Sequence, residues 1–296
     1  MRLALPFLLL AAPACAEMLR PPLDCDLGRT CFVQQYPDAD PGPGVADFTG
    51  GPLSYDGHDG TDFRVADLEA LDDAPPVIAP ADGTVLRARD DVPGGAFPEG
   101  QDCGNGLVID HGEGVTTQLC HLAPGLMVAP GDVVVAGQPL GRIGMTGATE
   151  FPHVEIVVRR DGEVVDPYIA GLWTEPPAYQ PGGLLSVGFA PEVPDYADVQ
   201  AGTADADRLA PTDALVIWAL LFGGREGDVM EFAIDGPDGR MFDHSETLTR
   251  TQAQVYRAAG RRAPPEGWPA GGYAGTIHLI RDGTRIDARE VTIQVR

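Results

Sequence analysis

Short apolar runs, broken every few residues by glycine or proline, constrain this chain more than any other feature. Its 296 residues include 38 Gly and 28 Pro. Between residues 51 and 172 the runs PVIAP (76–80), GTVLRAR (83–89), GLVID (106–110) and VTTQLCH (115–121) have strand length and end in turn-forming residues. DVVVAG (132–137), QPLGRIG (138–144) and PHVEIVV (152–158) repeat the pattern. Apart from a turn expected near 66–72, this stretch lacks helical period, so an antiparallel β domain is predicted.

The second half reads differently. Residues 173–200 are rich in Pro and Gly and suggest a linker plus a leading strand. Residues 201–296 predict a second β unit with ALVIWALLF (214–222) and VMEFAID (229–235) as strands and GPDG (236–239) as a turn. GYAGTIHLI (272–280), a DGT turn (282–284) and REVTIQV (289–295) make a closing hairpin, and TQAQVYRAAG (251–260) is expected as a helix ended by Gly260. The expected fold class is all-β: an antiparallel domain at 51–172, preceded by a cysteine-bearing segment at 17–50 and followed by a β-sandwich-like domain at 201–296. His244 and His278 stand alone in the latter and read as surface or core histidines.

Arg2, the apolar run 3–12 and Ala14-Cys15-Ala16 have the form of a cleaved secretory signal spanning 1–16, which implies a periplasmic or secreted protein. A lipid anchor on Cys15 fits less well, because Pro13 makes a poor acylation motif. The run is too short to span a bilayer, and no later run reaches that length, so no stable membrane insertion is expected. Removing the signal leaves four cysteines, an even number that suits disulfides in an exported chain. Three pairings are open, and proximity alone favours Cys25 with Cys31 and Cys103 with Cys120. The formal net charge is −24, from 44 acidic residues against 20 basic ones, all arginine. Such a surface repels nucleic acid and offers anionic membranes no attraction.

Three clusters carry residues able to hold a metal. YDGHDGTDF (55–63) spaces His58 and Asp62 as H-x-x-x-D, in a loop that Gly57 and Gly60 allow to fold. LCHL (119–122) places His121 at the end of a strand. FPHVEI (151–156) puts His153 and Glu155 on one strand face, since residues i and i+2 project together. Each cluster alone is weak, since a polar turn or a solvated strand face produces the same residues. Hydrolysis at zinc needs three protein ligands, an open position and a nearby acid or base.

The order of these clusters resembles the lysostaphin/LytM-type zinc metallopeptidases. H-x-x-x-D is followed by GNGLVIDHGEG leading to C-H-L, then by GMTGATE leading to P-H-V, with PVIAPADGTV and GDVVVAGQPLGRIG between them. The resemblance covers about residues 51–168. It implies a LytM-type β-sheet core, one Zn²⁺ per chain and hydrolysis of peptide cross-links in peptidoglycan. It implies ligation by His58 and Asp62, with His121 beside the catalytic water or the developing oxyanion. His111 in IDHGEG matches a turn position rather than a ligand, and Asn105 orders a loop or contacts substrate.

The departure is in the last motif, which typically reads H-x-H but here is His153-Val154-Glu155. In one register His153 is catalytic and Glu155 replaces the ligand histidine. In the other His153 is the ligand and Phe151 replaces the catalytic histidine, which requires a two-residue deletion. The first keeps the downstream strand in step, and glutamate can ligate zinc. Two carboxylates cancel the charge of Zn²⁺, which makes a bound water less acidic and admits harder metals such as Mn²⁺. Leu119 stands where the family often has a tyrosine. A rival reading is a catalytically degenerate LytM-type module that binds cell wall or regulates other hydrolases; Glu155 sustains it, while the retention of His58, Asp62, His121 and His153 speaks for an enzyme.

Overall fold

A computed structural model describes residues 18–296, and the expected signal segment lies outside the described residues. The first half contains β1 (Phe32–Gln35), β2 (Gly60–Arg64), β3 (Val77–Ile78), β4 (Gly83–Arg89) and β5 (Asn105–Asp110). It continues with β6 (Val115–Leu122), β7 (Val133–Val134), β8 (Pro139–Gly141), β9 (His153–Arg160) and β10 (Glu163–Val164). Eight of these form one antiparallel sheet in the order β1-β2-β9-β6-β5-β4-β7, with β10 on β9; β3 and β8 pair separately. A single 3₁₀ turn, Glu69–Leu71, occupies the region where a turn was expected.

Alternation decides which side chains face the core. Val154, Ile156 and Val158 of β9 are buried in one cluster with Leu107 and Ile109 of β5 and Leu119 of β6. His153 and Glu155 therefore project from the opposite face of β9. Disulfides join Cys25 to Cys31 and Cys103 to Cys120, the pairing that proximity favoured.

The second half contains β11 (Gly183–Ala190), α1 (Tyr196–Ala201), β12 (Leu215–Gly224) and β13 (Val229–Gly236). β14 (Gly239–Thr247), β15 (Gln252–Arg261), β16 (Gly271–Arg281) and β17 (Thr284–Val295) follow. A three-stranded sheet β11-β12-β15 and a four-stranded sheet β14-β13-β16-β17 share one core. The helix expected at 251–260 is instead strand β15, which pairs antiparallel with β12 from Gln252 to Arg261. The helix-favouring Gln, Ala and Arg of this segment are overruled by pairing with a buried strand. The α-helix among the described residues is α1.

β12 explains its own composition. Leu215, Ile217, Ala219 and Leu221 face the sandwich core, while Trp218, Leu220 and Phe222 join a second cluster with Phe32 of β1. Both faces are covered, so the strand reads as an unbroken apolar run. The Phe32 and Phe222 rings lie 5.7 Å apart. This seam docks the sandwich against the edge of the first sheet, beside the strand that carries Asp62. No helix among the described residues is long and apolar enough to cross a membrane.

Candidate metal centre and cleft

The site is built on two neighbouring strands and one irregular turn. Asp62 on β2 is the register partner of Glu155 on β9, so the two carboxylates stand directly opposite each other. His58 reaches them from the preceding loop, where Gly57 takes a left-handed φ of 77°. Gly60 makes room for Glu155: a Cβ there would overlap the Glu155 side chain from Cγ to the carboxyl group. The glycine is therefore demanded by the neighbouring carboxylate.

His58, Asp62 and Glu155 each offer a ligand atom within 4.8 Å of the others. His58 Nε2 is 3.4 Å from Asp62 Oδ1, and His58 Nδ1 is 3.7 Å from Glu155 Oε1. Both ring nitrogens of His58 and Oδ1 of Asp62 are buried without a hydrogen-bond partner. Buried polar atoms are ordinarily satisfied, and paired carboxylates repel. An acceptor-rich cluster with orphaned buried atoms fits a cation, and the donor set of one imidazole and two carboxylates suits zinc.

Two further histidines flank this cluster. His153 donates through Nδ1 to the Phe151 carbonyl at 2.9 Å, and His121 donates through Nδ1 to the Thr146 carbonyl at 2.8 Å. A carbonyl can only accept, so each ring carries its proton on Nδ1 and presents Nε2 to the cleft. Those Nε2 atoms lie 3.6 Å from Asp62 Oδ1 and 3.5 Å from Glu155 Oε2 respectively. The His121 and His153 rings are 4.6 Å apart, and Phe151 stacks on His153 at 4.4 Å.

His121 reaches the cleft by leaving the strand alternation. Leu119 and Leu122 both lie in the core, and His121 between them adopts φ 64°. A left-handed histidine is uncommon and is sustained by its surroundings. Its N–H donates to the Cys103 carbonyl at 2.8 Å, next to the Cys103–Cys120 disulfide. Leu119 itself packs in the core.

Electrostatics separates the two histidines. Burial pushes His153 down to about 4, more strongly than the Asp62 carboxylate opposes. Burial is the largest influence and acts to lower His121, but the Glu155 carboxylate, the Thr146 carbonyl and Asp62 together outweigh it and raise it. Burial works on Asp62 in the upward direction, yet His58 and His153 hold it below the usual carboxylate value. Divergent proton affinities in adjacent groups are what acid–base partners need.

Two other residues of the motif region are structural. His111 is held by the Asp82 carbonyl at 2.7 Å and Thr117 Oγ1 at 2.8 Å. Asn105 is fully buried, accepting from Val92 N–H and donating to the Val92 carbonyl, so it orders the loop. His244 lies on β14, and His278 on β16 pairs with Glu231 at 3.4 Å; both are remote in the fold from the cleft.

The histidines and carboxylates open into a cleft of about 450 Å³. Tyr55, whose ring lies 4.4 Å from His58, Phe97 and Thr149 also line it, and none was singled out in the sequence. Neither were Gln34, Gln35, Ala253 and Gln254, which bring β1 and β15 to the same cleft. The first two lie in a segment whose sequence signal was its cysteines, and the last two in the segment expected to be helical.

Comparison with known proteins agrees with the motif order. Residues 56–167 match peptidase family M23. An uncharacterized metalloprotease of Haemophilus influenzae is 34% identical over 115 residues, 39% of this chain and 21% of that protein. The peptidoglycan DD-endopeptidase ShyA of Vibrio cholerae is 35% identical over 104 residues, 34% of this chain and 20% of that protein. This chain thus spans about a fifth of the length of these curated relatives. The catalytic domain of lysostaphin from Staphylococcus simulans is 23% identical in sequence, with 46% of this chain and 87% of that one covered and a TM-score of 0.31. Motif order, the match over 56–167 and the two curated relatives agree: residues 56–167 are similar to peptidase family M23.

Proposed function

We propose that the chain is an exported zinc metallo-endopeptidase that hydrolyses peptide bonds in peptidoglycan cross-links. The observation that carries this reading is the convergence of His58, Asp62 and Glu155, with orphaned buried atoms, beside the Nε2 atoms of His121 and His153. The match to peptidase family M23 and the similarity to a peptidoglycan endopeptidase support the substrate class.

His58, Asp62 and Glu155 would hold the ion. When bound there, zinc would supply Lewis-acid chemistry and would lower the pKa of water. His121 and His153 share the proton work: one accepts the proton of the attacking water, and the other stabilises the developing oxyanion or returns a proton to the leaving amine. Their Nδ1 bonds to backbone carbonyls fix the rings so that Nε2 is the working atom. Phe151 stacked on His153 excludes water from one side of that ring. Glu155 sets the limit of the site, because a second carboxylate leaves less net positive charge than histidine would.

The experiment is digestion of purified peptidoglycan by the metal-loaded protein, with the released fragments separated by chromatography. Cleavage that disappears in His121→Ala and His153→Ala, with metal retained, supports the enzyme. Inertness with every divalent metal, together with cleavage gained by Glu155→His, leaves the degenerate, regulatory reading in its place.

A further inference from the structure

Beyond His58, Asp62 and Glu155, the cleft continues into a second hollow of about 280 Å³. The two share Gln34, Gln35 and Ala253, so they form one continuous seam between β1 and β15. The seam therefore has one wall from the cysteine-bearing segment and one from the C-terminal sandwich. In a chain of net charge −24, no charged side chain lines the second hollow. Its polar groups are amides and hydroxyls, among them Gln34, Gln35, Gln252, Ser54 and Thr251.

Gln34 shows what the seam lacks. It is 1% exposed, and its Oε1 accepts from the Arg64 guanidinium. A guanidinium has only donors, so the amide cannot be flipped, and Nε2 must be the group turned away from Arg64. That Nε2 is buried with no acceptor. A buried unsatisfied donor at the edge of a cavity is costly unless something fills the need. Arg64 also donates to Gln254 Oε1 at 3.1 Å, which ties β15 to β2 two residues from Asp62. The guanidinium lies 4.7 Å from the Phe151 ring centroid, and Phe151 in turn stacks on His153. The sandwich is therefore joined to the cleft and does not hang from the domain as a separate module.

We infer that the β1–β15 seam is a binding subsite for an uncharged, extended stretch of peptide, and that the C-terminal sandwich contributes a specificity-determining wall to the cleft. Neutral donors and acceptors suit main-chain amides, whose carbonyl would satisfy Gln34 Nε2. The absence of charge lining the second hollow means that neither a carboxylate nor an ammonium is selected in that part of the seam. This inference rests on the peptidase reading for the identity of its peptide, but it concerns binding, which is measured apart from cleavage.

The test uses the full chain and a cross-linked dimer of peptidoglycan stem peptides freed of sugar. Binding is measured by calorimetry with chelator present, so that no cleavage occurs, and hydrolysis is measured separately on metal-loaded protein. Gln34→Glu keeps an acceptor for Arg64 and replaces the free donor with a carboxylate oxygen that repels a peptide carbonyl; Ala253→Trp obstructs the seam from an exposed position. Each should weaken binding about tenfold, the effect of one lost hydrogen bond or one blocked contact, with unchanged metal content and thermal unfolding. On metal-loaded protein the same loss should fall on KM and not on kcat. Wild type that binds the dimer but never cleaves it leaves the subsite standing and removes the endopeptidase reading. Cleavage by wild type with both variants binding like wild type overturns the subsite, as does wild type that fails to bind the dimer.

Discussion

Asp62 and Glu155 face each other across β2 and β9 as register partners, with Asp62 buried and Glu155 nearly so. Like charges placed directly opposite on neighbouring strands destabilise the pair. The structure keeps them there, reserves Gly60 for the Glu155 side chain and leaves both ring nitrogens of His58 without a hydrogen-bond partner. A bound cation is the arrangement that makes these features consistent.

The Glu155 side chain sets the charge of the site. Glu155→His should make the metal-loaded site net positive where it is neutral in wild type, raise peptidoglycan cleavage and move its optimum to lower pH, because a bound water becomes more acidic. A pH–rate profile of both proteins checks this. An unchanged profile would separate Glu155 from the chemistry.

Gly60→Ala should displace the Glu155 carboxylate without replacing any ligand residue. We expect metal affinity to fall roughly 10-fold to 100-fold, as when a group that positions a ligand is altered. Competition with a chromophoric chelator measures it. Affinity equal to wild type would show that Glu155 finds its place without this gap.

The Cys103–Cys120 bridge lies next to left-handed His121. Replacing both cysteines with serine should cost about 3 kcal/mol of stability by the loop-closure argument. Cleavage should fall more than about tenfold, because small displacements of a reacting group are expensive, while bound metal stays. Urea unfolding and metal analysis together separate these effects.

Chelator-treated protein should lose stability as pH rises. Burial alone would lower His58, but the Asp62 and Glu155 carboxylates outweigh it and raise it above its usual value. His121 is raised as well. A raised histidine stabilises the fold fully below its unfolded value of about 6.5 and stops doing so as pH climbs through the folded value. Urea midpoints should therefore decline between about pH 6 and about pH 8, and added zinc should abolish the decline. A midpoint that rises over this interval would contradict the assigned charges.

The legible parts of the fold were those governed by local period. β4, β5, β6 and β9 follow from alternation and glycine punctuation, and the His153/Glu155 face follows from the i, i+2 rule. β15 departs from its helical local propensity because its strand character comes from β12, whose register partners lie 28 to 46 residues earlier. His121 was identified by motif, but no local rule foretells the left-handed turn that brings it into the cleft. The glutamine-lined wall was illegible for a different reason: Gln254 meets Arg64 across 190 residues of sequence. Long-range docking of two β units leaves no periodic trace.

Metal content of the purified full chain and of three variants tests the central assignment most directly. The account predicts about one divalent ion per chain in wild type, as in single-zinc hydrolases, and its loss in Asp62→Ala and Glu155→Ala. It predicts retention in His153→Ala with cleavage gone. Loss of metal from His153→Ala with retention in Glu155→Ala would contradict it, making His153 the third ligand and leaving Glu155 outside the metal site.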